Sequence, residues 1–459
     1  MSIKLLPGVH APHHKNTAGM KPVRMPPPAV VKIPMSMNIG RPATPVVKVG
    51  DEVKIGQLIA EAGGFVSSPV YASVSGKVKK IEDMLLFHGG VCPAIVIESD
   101  GQQAFWEGLT PHEDEVKDLD GFLKAVADSG VVGLGGAGFP TAVKLKVEPS
   151  KVDYICVNGA ECEPFLTGDT RTMLDNGERL VRGMKMLYDF YHPEHVWIGI
   201  ENNKPEAIQK LTELAARIDG VDVHTLPALY PQGGEKVLIQ NITGRVVPEG
   251  KLPIDVGCIV VNPSTLVTVI RYIEKGIPLT EKIITVDGSA VKNRMNVIAP
   301  IGTSIKDVVE FTGGFACEPK KIILGGPMMG VAVPSVDEVV VKNTGAILCF
   351  DEKDATPPEP TPCIKCGRCI AHCPLRLMPA DIETAYQMNK PEELKALKVN
   401  LCMECGCCGF ICPARRPLVQ TNKLAKQALN RYNEKLKADA EKKAAKAKAE
   451  EEKKEVAAS

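Results

Sequence analysis

Residues 363–413 constrain this chain more than any other stretch. They carry two copies of one cysteine spacing: Cys363, Cys366, Cys369 and Cys373, then Cys402, Cys405, Cys408 and Cys412. Both copies read C-x2-C-x2-C-x3-C, and both end in proline, at Pro374 and Pro413. Intervals this short let three thiolates converge on one polynuclear centre from a single loop. The fourth arrives where a helix begins, and proline is tolerated there because the first turn needs no intrahelical donor. Four thiolates also suit a structural zinc, but zinc ribbons use paired C-x-x-C knuckles and not this pattern. The spacing calls for two 4Fe–4S clusters. Cys407 falls out of register and is not expected to be a ligand.

The two copies resemble the run of bacterial two-cluster ferredoxins, in which the fourth cysteine of each set serves the other cluster. The resemblance implies a crossed assignment: Cys363, Cys366 and Cys369 with Cys412, and Cys402, Cys405 and Cys408 with Cys373. The chain has 459 residues, too many for one core, and its length suggests about three or four domains. Its formal net charge is zero, so there is no global electrostatic case for nucleic acid. The seven cysteines outside the two sets (Cys92, Cys156, Cys162, Cys258, Cys317, Cys349, Cys407) form no framework, which favours a reducing compartment. The N-terminus lacks the basic start and apolar core of a signal peptide. No stretch approaches the ~20 apolar residues of a membrane span, so any membrane attachment is expected through partners.

Residues 1–34 are rich in proline and basic side chains, with His10, His13 and His14 close together. A metal reading is available, but a solvated, partly extended arm that wraps a neighbouring domain or a partner fits the composition better. Residues 35–115 read as short strands punctuated by glycine, with alternation over 45–53 and 70–81 and turns at Gly50-Asp51 and Ser75-Gly76. The pattern resembles the barrel-sandwich hybrid of biotinyl and lipoyl carriers, which present a lysine on a hairpin tip. The corresponding tip here is Ser67-Ser68-Pro69, without a lysine, which implies a docking or structural module.

Residues 116–280 alternate helix and strand. A helix over 120–129 leads into SGVVGLGGAGFPTAVKL, where Gly133, Gly135, Gly136 and Gly138 crowd a loop that enters a helix near Thr141. Without β-carbons the backbone can approach a ligand closely, and free amides favour a phosphate. The contained G-x-G-x-x-G is weak evidence by itself, and a glycine-rich turn without a ligand is the plain alternative. Strands at 151–158, 195–200 and 221–226, with helices at 171–191 and 205–217, imply a mostly parallel sheet. Polar residues stand just past apolar strands in 158–169, 230–245 and 258–266, where open α/β sheets bind ligands.

Residues 281–350 run strand, turn, strand, helix (304–312), strand, then GGPMMG, with Met328 and Met329 read as core filler. Residues 354–362 are a proline-rich linker, and 363–420 hold the clusters, with a helix over 378–397. Residues 421–459 are mostly Lys, Ala and Glu, a composition for a solvated helix, frayed or disordered at its end. Its glutamates nearly balance its lysines, which favours water over anionic lipid.

GGAGFPT, N-x-x-E-x-E-P, Y-x-x-G-x-E and V-V-N, in this order, resemble the flavoprotein fold of the NADH-binding subunit of respiratory complex I. Together with the β module and the cysteine sets, the chain resembles the RnfC family of the Rnf electron-transport complex. The resemblance implies a multidomain α/β chain: a barrel-sandwich hybrid β module, a Rossmann-like α/β domain for FMN and NADH, a β-grasp (SLBB-like) module over 281–350, an α-helical two-cluster ferredoxin domain and a charged tail. It implies that Gly135, Gly136, Gly138 and Lys144 cradle the FMN phosphate side. Asn158 and Glu161 would face the flavin and its ribityl chain, and Tyr230, Gly233 and Asn262 would complete its wall. Phe139, Glu163 and Glu235 match positions at the nicotinamide nucleotide. The chain departs from the complex I pattern at Leu134, Ala160 and Gly234-Glu235.

A hydride carries two electrons and an iron–sulfur cluster accepts one, a mismatch that flavin bridges. The resemblance thus implies hydride exchange between NAD(H) and FMN and single-electron transfer through two 4Fe–4S clusters, with no acid–base catalytic residue required. Implied partners are membrane and iron–sulfur subunits of the Rnf type, with ferredoxin reached indirectly, at the cytoplasmic face of the membrane. Two other readings are a cobalamin reductase-like flavin and iron–sulfur subunit, whose β module lies at the other end of the chain, and an electron-relay scaffold without flavin.

Overall fold

The computed structural model describes residues 5–86 and 89–458, with side chains placed up to residue 445. Residues 1–4 of the expected arm and the last residue of the expected tail lie outside the described residues. The chain divides into two compact units, one comprising Met1–Leu6 and His10–Pro357, the other Pro7–Val9 and Pro358–Ser459.

In the first unit the β module is two small antiparallel sheets. Four strands run in the order Val30–Pro34, Val91–Ser99, Gly76–Leu85, Glu52–Val53, and three in the order Thr44–Pro45, Leu58–Glu61, Val70–Tyr71. Alternating residues Ile33, Ile59, Ala72, Val78, Ile95 and Ile97 fill the core, all at 1% exposure or less. The first strand, Val30–Pro34, lies in what the sequence suggests is arm. Its Pro34 and the prolines before it mask a strand whose pairing partner is some sixty residues on, at Val91–Ser99.

The rest of the arm is largely exposed, as expected, but is tied down at a few points. Val23–Arg24 pairs in parallel with Val297 and Ile298, and Thr17 is fully buried, its hydroxyl 2.5 Å from Thr167 Oγ1. The arm wraps the α/β and C-terminal β regions. His14 stacks on Phe165 and His13 lies near Asn203, and neither contact is that of a metal ligand set. Ser67 and Ser68, the expected hairpin tip, are buried instead of presented. Ser68 Oγ donates to Gly130 O at 2.9 Å.

The α/β region has a four-stranded, all-parallel sheet in the order Val221–Leu226, His195–Glu201, Tyr154–Asn158, Cys258–Val261. Helices Gly177–Tyr191 and Pro263–Lys275 pack together over it, burying Leu180, Met184, Leu187, Leu266 and Ile270. The single helix expected over 171–191 is two, Gly168–Asp175 and Gly177–Tyr191. Asp175-Asn176-Gly177 is a run of poor helix formers. Gly177 also packs so close that a β-carbon would lie 3.0 Å from Leu214 Cδ1.

Beyond it, a mixed six-stranded sheet runs Val23–Arg24, Met295–Pro300, Glu281–Asp287, Ala346–Phe350, Lys321–Leu324, Val331–Val333. Helix Ile305–Phe311, capped by Ser304 Oγ accepting from Asp307 N–H at 3.0 Å, packs Val308 and Val309 into its core. Met329 is 44% exposed, so core filling is not its role.

Lys342 is 1% exposed, and its ammonium donates to Ser68 Oγ, Pro69 O and Gly130 O at 3.0, 2.6 and 2.8 Å. These acceptors are neutral, so burial pushes its pKa down to about 7, and burial pushes Lys282, near Asp169, down to about 8. Each group then binds fewer protons folded than unfolded, so stability is lost as pH falls through these values and recovered above them. The thermal midpoint should rise between pH 7 and about pH 9, above which the buried Cys162 thiol, pushed up to about 12, opposes the trend. Lys342→Met should make that rise shallower. A flat or falling midpoint in wild-type protein over this window would contradict the assignment.

In the second unit, Leu377, Ile382, Ala385, Leu394, Val399, Ala425 and Leu429 form a small core. The helix expected over 378–397 is two, Pro379–Gln387 and Pro391–Ala396. Asn389 takes φ 52° between them, and Pro391 starts the second where a missing N–H costs nothing. The last helix, Leu418–Ala458, buries Leu418, Ala425 and Leu429 in its first turns, and residues 434–445 are exposed. Among the described residues no helix is long and apolar enough to cross a membrane.

Candidate functional site

The sequence-singled residues of the first unit gather at the carboxyl edge of the parallel sheet. Val132 bridges Pro140, and Gly133 N–H donates to Phe139 O at 2.9 Å, which closes residues 133–139 into a loop. Buried Leu134 anchors it through its N–H to Thr265 Oγ1 at 3.0 Å. The loop's outer carbonyls are taken: Gly136 O by Asn343 Nδ2 at 3.0 Å, Gly138 O by Ile39 N–H at 3.1 Å. Among the described residues, the N–H groups of Gly135, Ala137 and Gly138 have no protein acceptor. A β-carbon on Gly136 would meet nothing within 4 Å, whereas one on Gly135 would lie 2.3 Å from Asn262 Nδ2. Gly138 takes φ 72°, which a residue with a side chain rarely adopts.

Asn158, at the end of the central strand, donates from Nδ2 to Gly233 O at 2.9 Å, and its buried Oδ1 has no partner among the described residues. Glu161 is buried and fully engaged. Its Oε1 accepts from Asp169 N–H at 2.8 Å, and its Oε2 from Thr170 N–H and Oγ1 at 3.1 and 2.6 Å, so it caps helix Gly168–Asp175. Asp169 in turn accepts from Asn262 Nδ2 at 2.7 Å and Ser264 Oγ at 2.6 Å. Burial, reinforced by Glu161, pushes its pKa up. Asn262 also caps helix Pro263–Lys275, its Oδ1 accepting from Thr265 N–H at 3.1 Å.

Glu163, which the resemblance places at a nucleotide, accepts from the backbone N–H groups of Met328 and Met329 at 3.0 and 2.8 Å, with the Tyr230 hydroxyl 3.4 Å away. Burial pushes its pKa up against these bonds. The carboxylate therefore ties the 158–169 loop to the GGPMMG turn, where Gly326 leaves no room for a β-carbon, which would lie 2.1 Å from Glu163 Oε2. Lys144 and Glu235 do come together. Lys144 Nζ donates to Glu235 Oε1 at 2.7 Å and Val260 O at 3.1 Å. Phe139 is half-buried where the glycine loop ends, and Gly233 packs against Ala160 O, 2.5 Å from where its β-carbon would stand.

Four contributors escape sequence reading. Lys15 of the arm donates to Glu161 O, Glu163 O and Leu166 O at 2.7, 2.8 and 2.6 Å, clamping the loop from below while burial lowers its pKa. Lys204 pairs with Glu201 at 2.7 Å beside it. Asp169 sits inside a segment that reads as polar loop, and Asn343 lies two hundred residues from the carbonyl it holds. Only Asp169 had a signal, being the last residue of the strand-end polar run 158–169.

In the second unit the two cysteine copies fold alike. Positive φ recurs at Lys365, Gly367 and Arg376 and at Glu404, Gly406 and Arg415, and one-turn helices follow at Arg368–Ala371 and Cys407–Phe410. Cys373 lines one cavity with Cys402, Cys405 and Cys408, and its thiol interacts electrostatically with Cys402 and Cys405. The Cys369 thiol interacts electrostatically with Cys412, and the Arg416 guanidinium, hydrogen-bonded to Glu383 at 2.6 Å, does so with Cys363 and Cys412. Cys363 and Cys366 are exposed, Cys405 and Cys408 buried. Cys407 is buried, lines the same cavity and hydrogen-bonds Cys405. Among the described residues no three His, Cys, Asp or Glu side chains stand together as ligands of a single metal ion.

Comparison with known proteins bears on this arrangement. Residues 3–102 match the RnfC barrel sandwich hybrid domain, 126–271 the Nuo51 FMN-binding domain and 283–332 the SLBB domain. The C component of the proton-translocating ferredoxin:NAD(+) oxidoreductase complex of Clostridium ljungdahlii is 43% identical over 394 residues, 84% of this chain and 85% of that protein. The chain belongs to the RnfC family. The corresponding component of the Na(+)-translocating complex of Acetobacterium woodii is 41% identical over 92% of this chain and 96% of its own length. That of the ion-translocating oxidoreductase complex of Rhodobacter capsulatus is 35% identical over 94% and 84%. This RnfC chain also shares its fold with a chain of an air-oxidized NAD+-reducing NiFe-hydrogenase, at TM-score 0.50 and 19% identity. That match covers 70% of this chain and 65% of the hydrogenase chain. The barrel-sandwich match lies at the N-terminal end, at residues 3–102, as the resemblance to RnfC implies.

Proposed function

We propose that this RnfC chain is the NAD(H)-handling flavin and iron–sulfur subunit of a membrane-bound, ion-translocating ferredoxin:NAD+ oxidoreductase complex. In this reading it exchanges hydride between NAD(H) and FMN and passes electrons singly through two 4Fe–4S clusters to partner subunits. Its place is peripheral, at the cytoplasmic face, attached through membrane subunits, with ferredoxin reached through a partner iron–sulfur subunit. The named relatives translocate protons in one case and sodium ions in another, so the family does not choose the coupling ion.

The observation that carries the reading is the unspent polar set at the carboxyl edge of the sheet. Among the described residues, three loop amides and Asn158 Oδ1 have no protein partner there, beside open space at Gly136. Such a set fits a flavin mononucleotide, whose phosphate takes backbone amides and whose body offers donors to a carbonyl oxygen. Gly135, Ala137 and Gly138 would receive the phosphate, and Asn158 would orient the remainder. Glu161, Asn262 and Lys15 act one step back, fixing the loop that carries Asn158. Lys144 is held by Glu235, so its charge is already paired before the phosphate enters. The thiol sets fit two clusters in the crossed arrangement, Cys373 with Cys402, Cys405 and Cys408, and Cys412 with Cys363, Cys366 and Cys369. Bound FMN supplies the conversion between hydride and single electrons, and each cluster carries one electron at a time.

Flavin-replete protein, without any membrane subunit, should reduce ferricyanide with NADH. Phe139→Ala should raise KM for NADH more than it lowers kcat, because stacking on a ring is largely uniform binding. Preference for NADH over NADPH is expected to be modest, since Glu163 is engaged and Glu235 is paired with Lys144. Absence of NADH-dependent reduction in protein shown to hold FMN would overturn the reading.

A further inference from the structure

The glycine loop is gripped from outside its own domain. Gly136 O accepts from Asn343 Nδ2 at 3.0 Å and Gly138 O from Ile39 N–H at 3.1 Å. Gly130 O, three residues before the loop, accepts from both Ser68 Oγ at 2.9 Å and Lys342 Nζ at 2.8 Å. Ile39 and Ser68 belong to the barrel-sandwich module, and Lys342 and Asn343 to the segment before strand Ala346–Phe350. In a trans peptide the carbonyl and the following N–H point in opposite directions. A Gly136 carbonyl fixed on Asn343 therefore turns the Ala137 N–H the other way, and a Gly138 carbonyl fixed on Ile39 does the same for the Phe139 N–H.

We infer that Asn343 is a positioning residue for recognition of the flavin phosphate, and that buried Lys342 is the anchor that holds it in place. The pair sets the orientation of the Gly136–Ala137 peptide plane before a ligand arrives, so that the unpartnered Ala137 amide is already turned away from Asn343 and free for the anion. Packing agrees, since a β-carbon on Gly138 would stand 3.4 Å from Asn343 Nδ2. A loop this rich in glycine has many conformations to lose, and preordering it lowers the entropic cost of binding. The inference rests on the FMN reading above and adds to it that residues outside the flavin domain set phosphate affinity.

The test is titration of flavin-depleted protein, clusters retained, with FMN and with riboflavin, which lacks the phosphate. Asn343→Ala should weaken FMN about fivefold, the worth of one hydrogen bond, and leave riboflavin unchanged. Lys342→Met should act in the same direction by about tenfold or more. If Lys342→Met fails to accumulate, Asn343→Ala carries the test, since it removes one bond at the surface. Equal weakening of both ligands in Asn343→Ala would reduce the residue to general structure and overturn the inference, as would unchanged FMN affinity. Wild-type protein that binds the two flavins equally would overturn the phosphate site itself, and the inference with it.

Discussion

Gly136→Val is expected to strip FMN from the protein while leaving its iron. The backbone at Gly136 is not in the left-handed region, and its β-carbon direction opens onto space with nothing within 4 Å. A valine there folds without a clash and puts a branched side chain where the phosphate would sit. Loss of two hydrogen bonds to a charged group, at about 1.5 kcal/mol each, amounts to at least about a hundredfold in affinity. Acid-released flavin per chain should therefore fall toward zero after purification, with iron per chain and thermal midpoint held. The neighbouring Gly135→Ala is the contrasting control. Its β-carbon would displace Asn262 Nδ2 from Asp169, so it should lower the midpoint as well as the flavin content. Gly136→Val protein that retains FMN and oxidises NADH normally would move the flavin elsewhere.

That contrast separates what the residues alone disclose from what only the fold supplies. Glycines crowded after an apolar run announce a backbone that something approaches closely, and the run's place before a parallel sheet is visible from periodicity. Which glycine faces the ligand and which faces Asn262 depends on a helix cap more than a hundred residues away, at Asn262. The carboxylates are a sharper case. Glu161 and Glu163 stand in the right loop, but their oxygens are claimed by the first turn of helix Gly168–Asp175 and by the Met328–Met329 amides. An acidic residue near a site reads as a ligand contact, and only the fold adds the protein donors that also hold it in place. Lys15 was hidden for the opposite reason: prolines and histidines around it describe an exposed arm, and only three backbone carbonyls brought together by folding turn it into a clamp.

Element breaks follow the same division. Asp175-Asn176-Gly177 and Asn389-Lys390-Pro391 interrupt helices for local reasons that propensity contains, and reading either stretch as continuous gives the apolar periodicity too much weight. The strand Val30–Pro34 and the parallel pairing of Val23–Arg24 are different, because a short edge segment rich in proline gains its strand character from the partner alone.

The cluster assignment yields the other large effect. Cys373→Ala should remove about half of the iron, as one of two four-iron clusters is lost. A single variant does not say which cluster goes, because Cys373 lies in the first cysteine copy while its cavity is lined by Cys402, Cys405 and Cys408 from the second. Pairs of substitutions separate the two arrangements. If Cys373 serves the second set, Cys373→Ala with Cys408→Ala touches one cluster twice, and iron should stay near half. Cys373→Ala with Cys369→Ala then touches both clusters, and iron should fall toward zero. Local ligation, with each copy holding its own cluster, gives the reverse. The electrostatic interaction of Cys412 with Cys369, and of Arg416 with both Cys363 and Cys412, is in keeping with the crossed form at the other centre. The reduced protein gives a second readout: spin coupling between neighbouring clusters should vanish from the electron paramagnetic resonance of Cys373→Ala, leaving the spectrum of one isolated cluster. Iron near half in the Cys369 pair and near zero in the Cys408 pair would sink the crossed assignment and return each cluster to its own loop.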